Sequence, residues 1–226
     1  MEHTGHLFVI EGVDGSGKAT QTEKLYQYLT AEQYPVRKVT FPDYASPSSS
    51  LVKMYLNGEF GSEPDSVNAF ATSLFFAVDR FASFRKNWQE AYQQGDIILA
   101  DRYTTSNMIH QGSKILDQEE KTTYLNWLTD LEYRLLELPQ PTCVFFLDMP
   151  PEYSLKLRQA RNELKQDLTQ DIHESNQQYL LDAYYHALDI AKQQKWHIIS
   201  CVRDGQIRTI EDIHHEITKH ISTYLT

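Results

Sequence analysis

The chain has 226 residues, of which 41% are hydrophobic and 23% charged, and its formal net charge is −10. This composition predicts one globular domain with a sizeable core, and nine glycines and eight prolines are too few for a fibrous or low-complexity chain. An acidic balance repels polyanions, so it argues against a nucleic-acid-binding protein, although a small phosphate compound could bind where cations are concentrated.

The N-terminal residues contain no basic segment before an apolar run, so we expect no secretory signal. No apolar run approaches the roughly 20 residues that are needed to cross a bilayer, so we expect no membrane partner. Cys143 and Cys201 lie in short apolar runs without metal-ligand spacing, which predicts two buried thiols in a reducing compartment. These features together predict a cytoplasmic protein.

Apolar runs alternate with segments of helical periodicity along the chain. The first half of the pattern predicts, in order, a strand at 6–11, a helix at 18–31, a strand at 35–41, and helices at 46–57 and 65–94. The second half predicts a strand at 96–100, helices at 105–112 and 118–138, a strand at 142–148, helices at 151–165 and 172–195, a strand at 196–202 and a helix at 209–225. Five strands separated by helices indicate an α/β fold, in which a five-stranded parallel sheet is covered by helices on both faces.

The long helix at 65–94 has the strongest periodic pattern. Seven apolar side chains recur at three- and four-residue steps and predict one buried stripe: Val67, Phe70, Leu74, Ala77, Phe81, Phe84 and Trp88. Phe76 and Arg80 lie one turn apart and roughly 80–140° away from this stripe, so we expect both to lie off the core face. A ring and a guanidinium in this relation suit a base stacked above its own phosphate, and a second packing surface is the alternative.

Polar residues follow three of the predicted strands at their carboxyl ends. They are the glycine-rich turn after the first strand, Phe41-Pro42-Asp43 after the second, and Asp101-Arg102-Tyr103 after the third. Ligands of open parallel sheets bind beyond the carboxyl ends of the strands. We therefore expect these three segments to line one crevice.

The glycine-rich turn matches the phosphate-binding pattern G-x-x-x-x-G-K-[ST] at Gly12, Gly17 and Lys18, but Ala19 replaces the hydroxyl residue. In such a loop the backbone N–H groups and the helix dipole bind phosphate oxygens, and the lysine adds a point charge for the β- and γ-phosphates. The alternative is a tight turn with a surface lysine. The loop predicts an ATP-phosphate site formed by Gly12, Val13, Asp14, Gly15, Ser16, Gly17, Lys18, Ala19 and Thr20.

Ala19 removes one ligand that normally reaches Mg²⁺, because a methyl group cannot coordinate a cation. Mg²⁺ keeps several waters and takes other ligands from carboxylates and phosphates, so we expect Mg²⁺ binding to persist with water in the vacant position. Thr20 lies about 100° further round the helix and is a poor substitute. Asp101, at the end of the third strand, is the predicted metal-orienting carboxylate, and a cap or turn role is its alternative.

Five segments in this order and spacing resemble the thymidylate kinase family: "FVIEGVDGSGKATQ", "FPDY", "LFFAVDRF", "DRYTTSNMIHQG" and "FFLDMPPEYSLKLRQAR". The resemblance extends from about residue 6 to 165, and more loosely to the C terminus. It implies the three-layer fold of a P-loop kinase, as a single domain over residues 1–226. It also implies that ATP with Mg²⁺ phosphorylates dTMP to dTDP, and that the chain forms a homodimer through its long helices.

The resemblance also assigns roles to residues. Phe76 would stack on thymine, Arg80 and Arg102 would hold the dTMP phosphate, and Asp14 would orient the sugar 3′-hydroxyl and the arginines. His110 stands where many relatives have an aromatic residue, which leaves the packing of the base pocket open. The positions that match the family's dTMP site are Asp14, Phe41, Pro42, Phe76, Arg80, Arg102, Tyr103, Ser106 and Gln111.

Further cations follow the fourth predicted strand. Arg158, Arg161 and Lys165 resemble the lid arginines that some family members use where the P-loop itself lacks a cation, and the lid would be mobile and cover residues 158–172. The alternative is a solvated helix face. With the lid included, the implied catalytic residues are Lys18, Arg102, Asp14, Arg158 and Arg161.

The implied reaction needs no protein base, because the second pKa of a nucleotide phosphate is about 6 and dTMP is already an anionic nucleophile at neutral pH. The sequence leaves alternatives open. A kinase for another monophosphate, or for a deoxynucleoside with Glu11 as base, fits the same loop. A GTP-dependent switch would need an Asn-Lys-x-Asp motif, which the sequence lacks, and a P-loop scaffold without catalysis is the last alternative.

Overall fold

The computed structural model describes residues 5–157 and 177–225. Within them, the apolar runs form a five-stranded sheet in which every neighbouring pair is parallel, in the order β2-β3-β1-β4-β5. The strands are β1 (Leu7–Gly12), β2 (Val36–Thr40), β3 (Ile97–Asp101), β4 (Cys143–Asp148) and β5 (His197–Ser200). The predicted α/β fold with a five-stranded parallel sheet is confirmed.

Helices and one small hairpin connect these strands. The helices are α1 (Lys18–Ala31), α2 (Ser50–Leu56), α3 (Ala69–Ser83), α4 (Gln89–Gln93), α5 (Thr104–His110), α6 (Gln118–Thr129), α7 (Gln177–Gln193) and α8 (Ile210–Ile221). A π-helical segment, Phe84–Trp88, joins α3 to α4, and a second one, Asp130–Leu135, extends α6. Residues 151–157 are helical, and the hairpin consists of β6 (Val202–Arg203) and β7 (Gln206–Ile207).

The core lies on both faces of the sheet because alternate side chains of a strand point to opposite faces. Phe8 and Ile10 of β1 pack in a cluster with residues of α1 and α8, whereas Leu7 and Val9 pack in a second cluster with Phe84 and other residues after α3. Helices therefore cover both faces, as the sequence predicts.

Helix boundaries differ from the predicted ones mainly at the long helix. Pro64–Ser66 forms a separate 3-10 turn, and the Asn68 side chain accepts a hydrogen bond from Ala71 N, so that α3 begins at Ala69 and not at residue 65. An Asn at this position supplies an acceptor to a helix N–H group that would otherwise have none.

The predicted single buried stripe of the long helix is wrong. Leu74 and Phe81 are 43% and 37% exposed, while Ala77 is buried. Small and polar side chains complete the buried face of α3: Thr72, Ser73, Asp79, Arg80 and Ser83. A helix that carries apolar residues on more than one side gives no unique stripe, because periodicity alone does not say which side faces the protein.

Both cysteines are buried free thiols, as predicted. Burial raises the pKa of Cys143 to about 11 and that of Cys201 to about 12, so neither thiol ionises readily. In the two ranges that the structure describes, none of the helices has the length and apolar character that crossing a membrane requires.

Candidate active site

A cavity of about 250 Å³ opens at the carboxyl edge of the sheet. Strand register brings its walls together, because Asp101 at the end of β3 pairs with Ile10 of β1 and with Thr40 of β2. All nine residues predicted for the dTMP site line it, together with Asp101: Asp14, Phe41, Pro42, Phe76, Arg80, Arg102, Tyr103, Ser106 and Gln111. The predicted convergence of three strand ends is therefore confirmed.

The P-loop, residues 12–19, turns sharply between β1 and α1. Gly15 has φ +83°, and a Cβ atom there would lie 2.5 Å from the carbonyl oxygen of Ser154, so this position requires glycine. Gly17 precedes α1 with φ +90°, and within the described chain no side chain caps this helix N terminus. The first N–H groups of α1 can therefore bind an anion.

Lys18 lies at the base of the P-loop and is 6% exposed. Its Nζ donates a hydrogen bond to the Val13 carbonyl oxygen at 2.8 Å and lies 3.7 Å from Asp14 Oδ1. Burial and the positive charge of Arg102 lower the pKa of Lys18. The ammonium is thus held within the loop, where the charge of a bound phosphate would stabilise its protonated form.

Arg102 follows β3 and places a second cation beside Asp14, the P-loop residue that Lys18 also approaches. Its guanidinium forms an ion pair with Asp14 through Nη2, and its Nη1 lies 3.6 Å from Glu11 Oε1 and 3.4 Å from His110 Nε2. Burial opposes the charge, but the carboxylates of Asp14, Glu11 and Asp101 raise the pKa of Arg102. Its backbone has φ +69°, in the left-handed region that non-glycine residues rarely adopt.

Glu11 is buried beneath this guanidinium and has donors on both carboxylate oxygens. Oε2 accepts hydrogen bonds from Thr105 Oγ1 at 2.9 Å and Ser106 Oγ at 2.7 Å, and Oε1 accepts one from Gly12 N at 3.1 Å. A carboxylate held in this way orients its neighbours and is poorly placed to remove a proton from a sugar hydroxyl. The deoxynucleoside-kinase alternative loses its candidate base.

Arg80 lines the cavity, but its environment corrects the prediction that it lies off the core face. It is 1% exposed, and its Nε and Nη2 form a two-point ion pair with the buried Glu132. Glu132 raises the pKa of Arg80 against the effect of burial. Since Glu132 also accepts from Thr104 Oγ1 at 2.6 Å, Arg80 contributes a fixed, neutralised donor group and not an unpaired cation.

Tyr103 lines the cavity as well, but its hydroxyl is engaged in the core. The ring is buried against Phe41 and Trp88, and Oη donates a hydrogen bond to the Pro139 carbonyl oxygen at 3.0 Å. Tyr103 therefore contributes to the cavity wall while its hydroxyl is held by Pro139.

The sequence predicted no role for several other residues of the cavity, although it indicated His110 as a residue of the base pocket. Asn107 and His110 of α5 line it beside the predicted Ser106 and Gln111, and Tyr44 and Leu56 also line it. Helical spacing could have indicated Asn107, since it shares a short helix with Ser106. The Gln111 side chain is buried, and its Oε1 has no hydrogen-bond partner among the described residues.

The structure describes the residues of the metal prediction but not those of the lid prediction. Ala19 and Thr20 are exposed at the start of α1, and Asp101 lies in the cavity wall near Lys18. In the described parts of the chain, no group of three His, Cys, Asp or Glu side chains could hold a metal ion by itself. A single carboxylate, Asp101, beside the phosphate-binding loop is compatible with Mg²⁺, which takes its other ligands from water and phosphate oxygens.

The lid, residues 158–172, and its Arg158, Arg161 and Lys165 lie outside the described residues. The helical segment that leads to them, residues 151–157, is described, and its Ser154 abuts Gly15 of the P-loop. The start of the segment is therefore adjacent to the phosphate-binding loop.

Comparison with known proteins gives one consistent result. The sequence model of the family described as "Thymidylate kinase" matches residues 10–217. Thymidylate kinase of Bifidobacterium longum subsp. infantis is 29% identical over 221 residues, which cover 97% of this chain and 87% of that protein. The Plasmodium falciparum enzyme is 25% identical over 218 residues, 96% and 90% of the two chains. The solved structure of thymidylate kinase from Candida albicans has a TM-score of 0.72 at 24% identity and covers 98% and 92% of the two chains, so it supports the fold.

Proposed function

The chain belongs to the thymidylate kinase family and phosphorylates dTMP to dTDP with ATP, and from this premise we propose that the cavity at the carboxyl edge of the sheet binds dTMP. One observation carries the proposal: an aromatic ring, Phe76, and a cation, Arg102, line a single cavity next to the P-loop. A nucleotide carries its base and its phosphate at opposite ends. A site that binds both therefore needs a stacking surface and a cation in the same cavity. The cavity is the place where a monophosphate can meet the γ-phosphate of ATP.

Thymine binds at the Phe76 end of the cavity in this proposal. The ring of Phe76 stacks on the base, and the buried Gln111 Oε1 accepts a hydrogen bond from the base N–H group. Arg80, which Glu132 holds in place, offers its Nη1 as a further donor to the base, and not to the phosphate as the resemblance implied; the same Nη1 also donates to the Tyr103 carbonyl oxygen at 3.5 Å. A buried acceptor without a protein partner is costly when empty, so a ligand donor there adds to affinity.

The dTMP phosphate lies at the Arg102 end, where Asp14 and Glu11 hold the guanidinium. The phosphate oxygen attacks the γ-phosphorus of ATP, the bond from that phosphorus to the β-γ bridging oxygen breaks, and ADP leaves with the electron pair. Lys18, Arg102 and the lid residues Arg158 and Arg161 neutralise the negative charge that spreads over the transferred group. No side chain needs to remove a proton.

In this proposal the ATP phosphates are held by the nine residues from Gly12 to Thr20, which are the P-loop and the residue that follows it, and Asp101 would hold Mg²⁺. When it is bound, Mg²⁺ supplies positive charge to the phosphate oxygens. Asp101 is suited to this role because it ends β3, the strand that lies between β1 and β2, and because it is close to Lys18.

Replacing the proposed stacking residue tests the dTMP site. We expect Phe76→Ala to raise KM for dTMP about tenfold or more, because stacking of a base on an aromatic ring is worth about 1–3 kcal/mol, while KM for ATP stays unchanged. Initial rates from coupled ADP detection give both constants. Phe75→Ala is the matched control, since the Phe75 ring packs against Phe60 and does not line the cavity. An unchanged KM for dTMP in Phe76→Ala would place the base elsewhere.

The chain is further proposed to act as a homodimer in the cytoplasm. Three apolar side chains of α3 share a solvent-facing side, Leu74, Val78 and Phe81, and they are 43%, 51% and 37% exposed. Such a patch on a long helix suits a symmetric contact with a second copy. The buried free thiols suit a reducing compartment.

A charge in the centre of this patch tests the dimer. We expect Val78→Asp to convert the chain from dimer to monomer, because the carboxylate would be desolvated without a partner in a two-fold contact. Light scattering coupled to size-exclusion chromatography gives the mass directly. Leu116→Asp, at an exposed loop position, is the control and should leave the mass unchanged. A wild-type chain that elutes as a monomer, or a Val78→Asp variant that remains dimeric, contradicts the proposal.

A further inference from the structure

One partly buried cation beside the dTMP cavity has no part in phosphoryl transfer. Lys114 ends the short 3-10 turn Gly112–Lys114, which directly follows Gln111. Its Nζ donates hydrogen bonds to Tyr55 Oη at 2.9 Å and to the Val67 carbonyl oxygen at 3.2 Å. A single ammonium thus ties together the end of the α5 region, helix α2 and the segment that precedes α3.

Tyr55 receives this bond in a defined orientation. It is 1% exposed, and its hydroxyl donates its proton to the Pro64 carbonyl oxygen at 3.0 Å, so an oxygen lone pair faces Lys114. The ring stands edge-on to Phe76, with centroids 6.5 Å apart and planes at 82°. Any shift of Tyr55 therefore changes its contact with Phe76, the proposed base-stacking ring.

Two residues that line the cavity are connected to this ammonium. Gln111 precedes Lys114 by three residues, and Phe76 lies behind Tyr55. Burial lowers the pKa of Lys114 to about 8 in spite of the nearby Asp65, which means that the protein keeps an amine where its charge is disfavoured. A methionine of similar length could fill the same space without that desolvation cost, so the bonds themselves are the feature that a lysine provides.

We propose that Lys114 is a positioning residue for the nucleobase: it fixes the gap between the Gln111 wall and the Phe76 ring by acting through Tyr55. The proposal rests on the function proposed above, in which Phe76 stacks on thymine. Lys114 thereby contributes to selection of dTMP over dUMP, because a pocket can discriminate one methyl group only when its walls are held at a fixed separation.

Two single variants that break the same hydrogen bond from opposite ends test this. Tyr55→Phe keeps the ring and removes the hydroxyl, and Lys114→Met keeps the length of the side chain and removes the ammonium. We expect each to raise KM for dTMP about fivefold and to lower the dTMP-to-dUMP ratio of kcat/KM about fivefold, with kcat and KM for ATP within about twofold. The double variant should be less impaired than the product of the two single effects, because the bond between Lys114 and Tyr55 is already lost in each single variant.

The control is Lys86→Met, the same chemical change at an exposed position, which should match wild type. If Phe76→Ala raises KM for dTMP while Tyr55→Phe and Lys114→Met keep wild-type KM and selectivity, this inference is wrong and the proposed dTMP site stands. If Phe76→Ala itself has no effect, the proposed dTMP site is wrong, and so is this inference, which rests on it. Effects of the two single variants that multiply in the double variant also overturn the inference, since they would arise from separate interactions. Tyr55→Phe keeps the test valid if Lys114→Met does not fold.

Discussion

A Lys18→Met variant is expected to lose about 10³-fold in kcat, the scale of removing a preorganised charge from a transition state. Lys18 is buried in the P-loop with its ammonium against the Val13 carbonyl oxygen, so methionine can occupy the same space without the charge. Initial rates of ADP formation at saturating dTMP and ATP measure the loss. Equilibrium binding of dTMP by calorimetry should stay close to wild type.

The control for this variant lies on the same helix. Lys24 pairs with Glu211 at 3.3 Å near the surface, where an ion pair contributes little, so Lys24→Met should keep nearly all of kcat. A Lys18→Met variant that retains about a tenth of wild-type kcat or more would remove Lys18 from its catalytic role.

Arg102→Lys is expected to lower kcat/KM for dTMP about 100-fold, although it keeps the positive charge. The guanidinium contacts Asp14 through Nη2 and approaches Glu11 and Ser106 through Nη1, and a planar fork can do this while it also binds a phosphate. A lysine ammonium cannot span these positions at once. Steady-state kinetics with dTMP varied at saturating ATP measure the effect, and KM for ATP should change little.

Arg134→Lys provides the comparison, because Arg134 pairs with Asp130 on an exposed helix turn where geometry matters little. It should be indistinguishable from wild type. An Arg102→Lys variant with near-wild-type kcat/KM for dTMP would mean that Arg102 acts as a point charge, and the planar contact with Asp14 and Glu11 would then be incidental.

The sheet and the phosphate loop could be predicted because their determinants are local. Strands buried on both faces read as continuous apolar runs, such as Ile97 to Ala100, that end at glycine, proline or a polar turn. Parallel strands place their carboxyl ends at one edge, so the positions of Lys18 and Arg102 beside the same carboxylate, Asp14, followed from topology.

Tertiary partners of polar residues could not be predicted in this way. Glu132 is 52 positions from Arg80 in the sequence, in a segment that reads as ordinary helix, and no local pattern indicates that its carboxylate is buried. The same holds for the bond between Lys114 and Tyr55, which joins residues 59 positions apart. These pairings depend on how elements pack, and packing is not encoded in periodicity.

The buried face of α3 was also predicted wrongly, for a different reason. The helix carries aromatic and aliphatic residues on several sides, so the longest stripe pointed to Leu74 and Phe81, which the monomer leaves exposed. When two surfaces of one helix are both apolar, hydrophobicity cannot tell which of them faces the core.

The left-handed backbone of Arg102 sets stability against activity at a single position. A side chain in that region costs about 1–2 kcal/mol, and glycine would adopt the same φ of +69° at ease. Selection for stability alone would therefore favour glycine at position 102, whereas selection for turnover favours arginine. The chain accepts a weaker turn after β3 so that a guanidinium can stand beside Asp14.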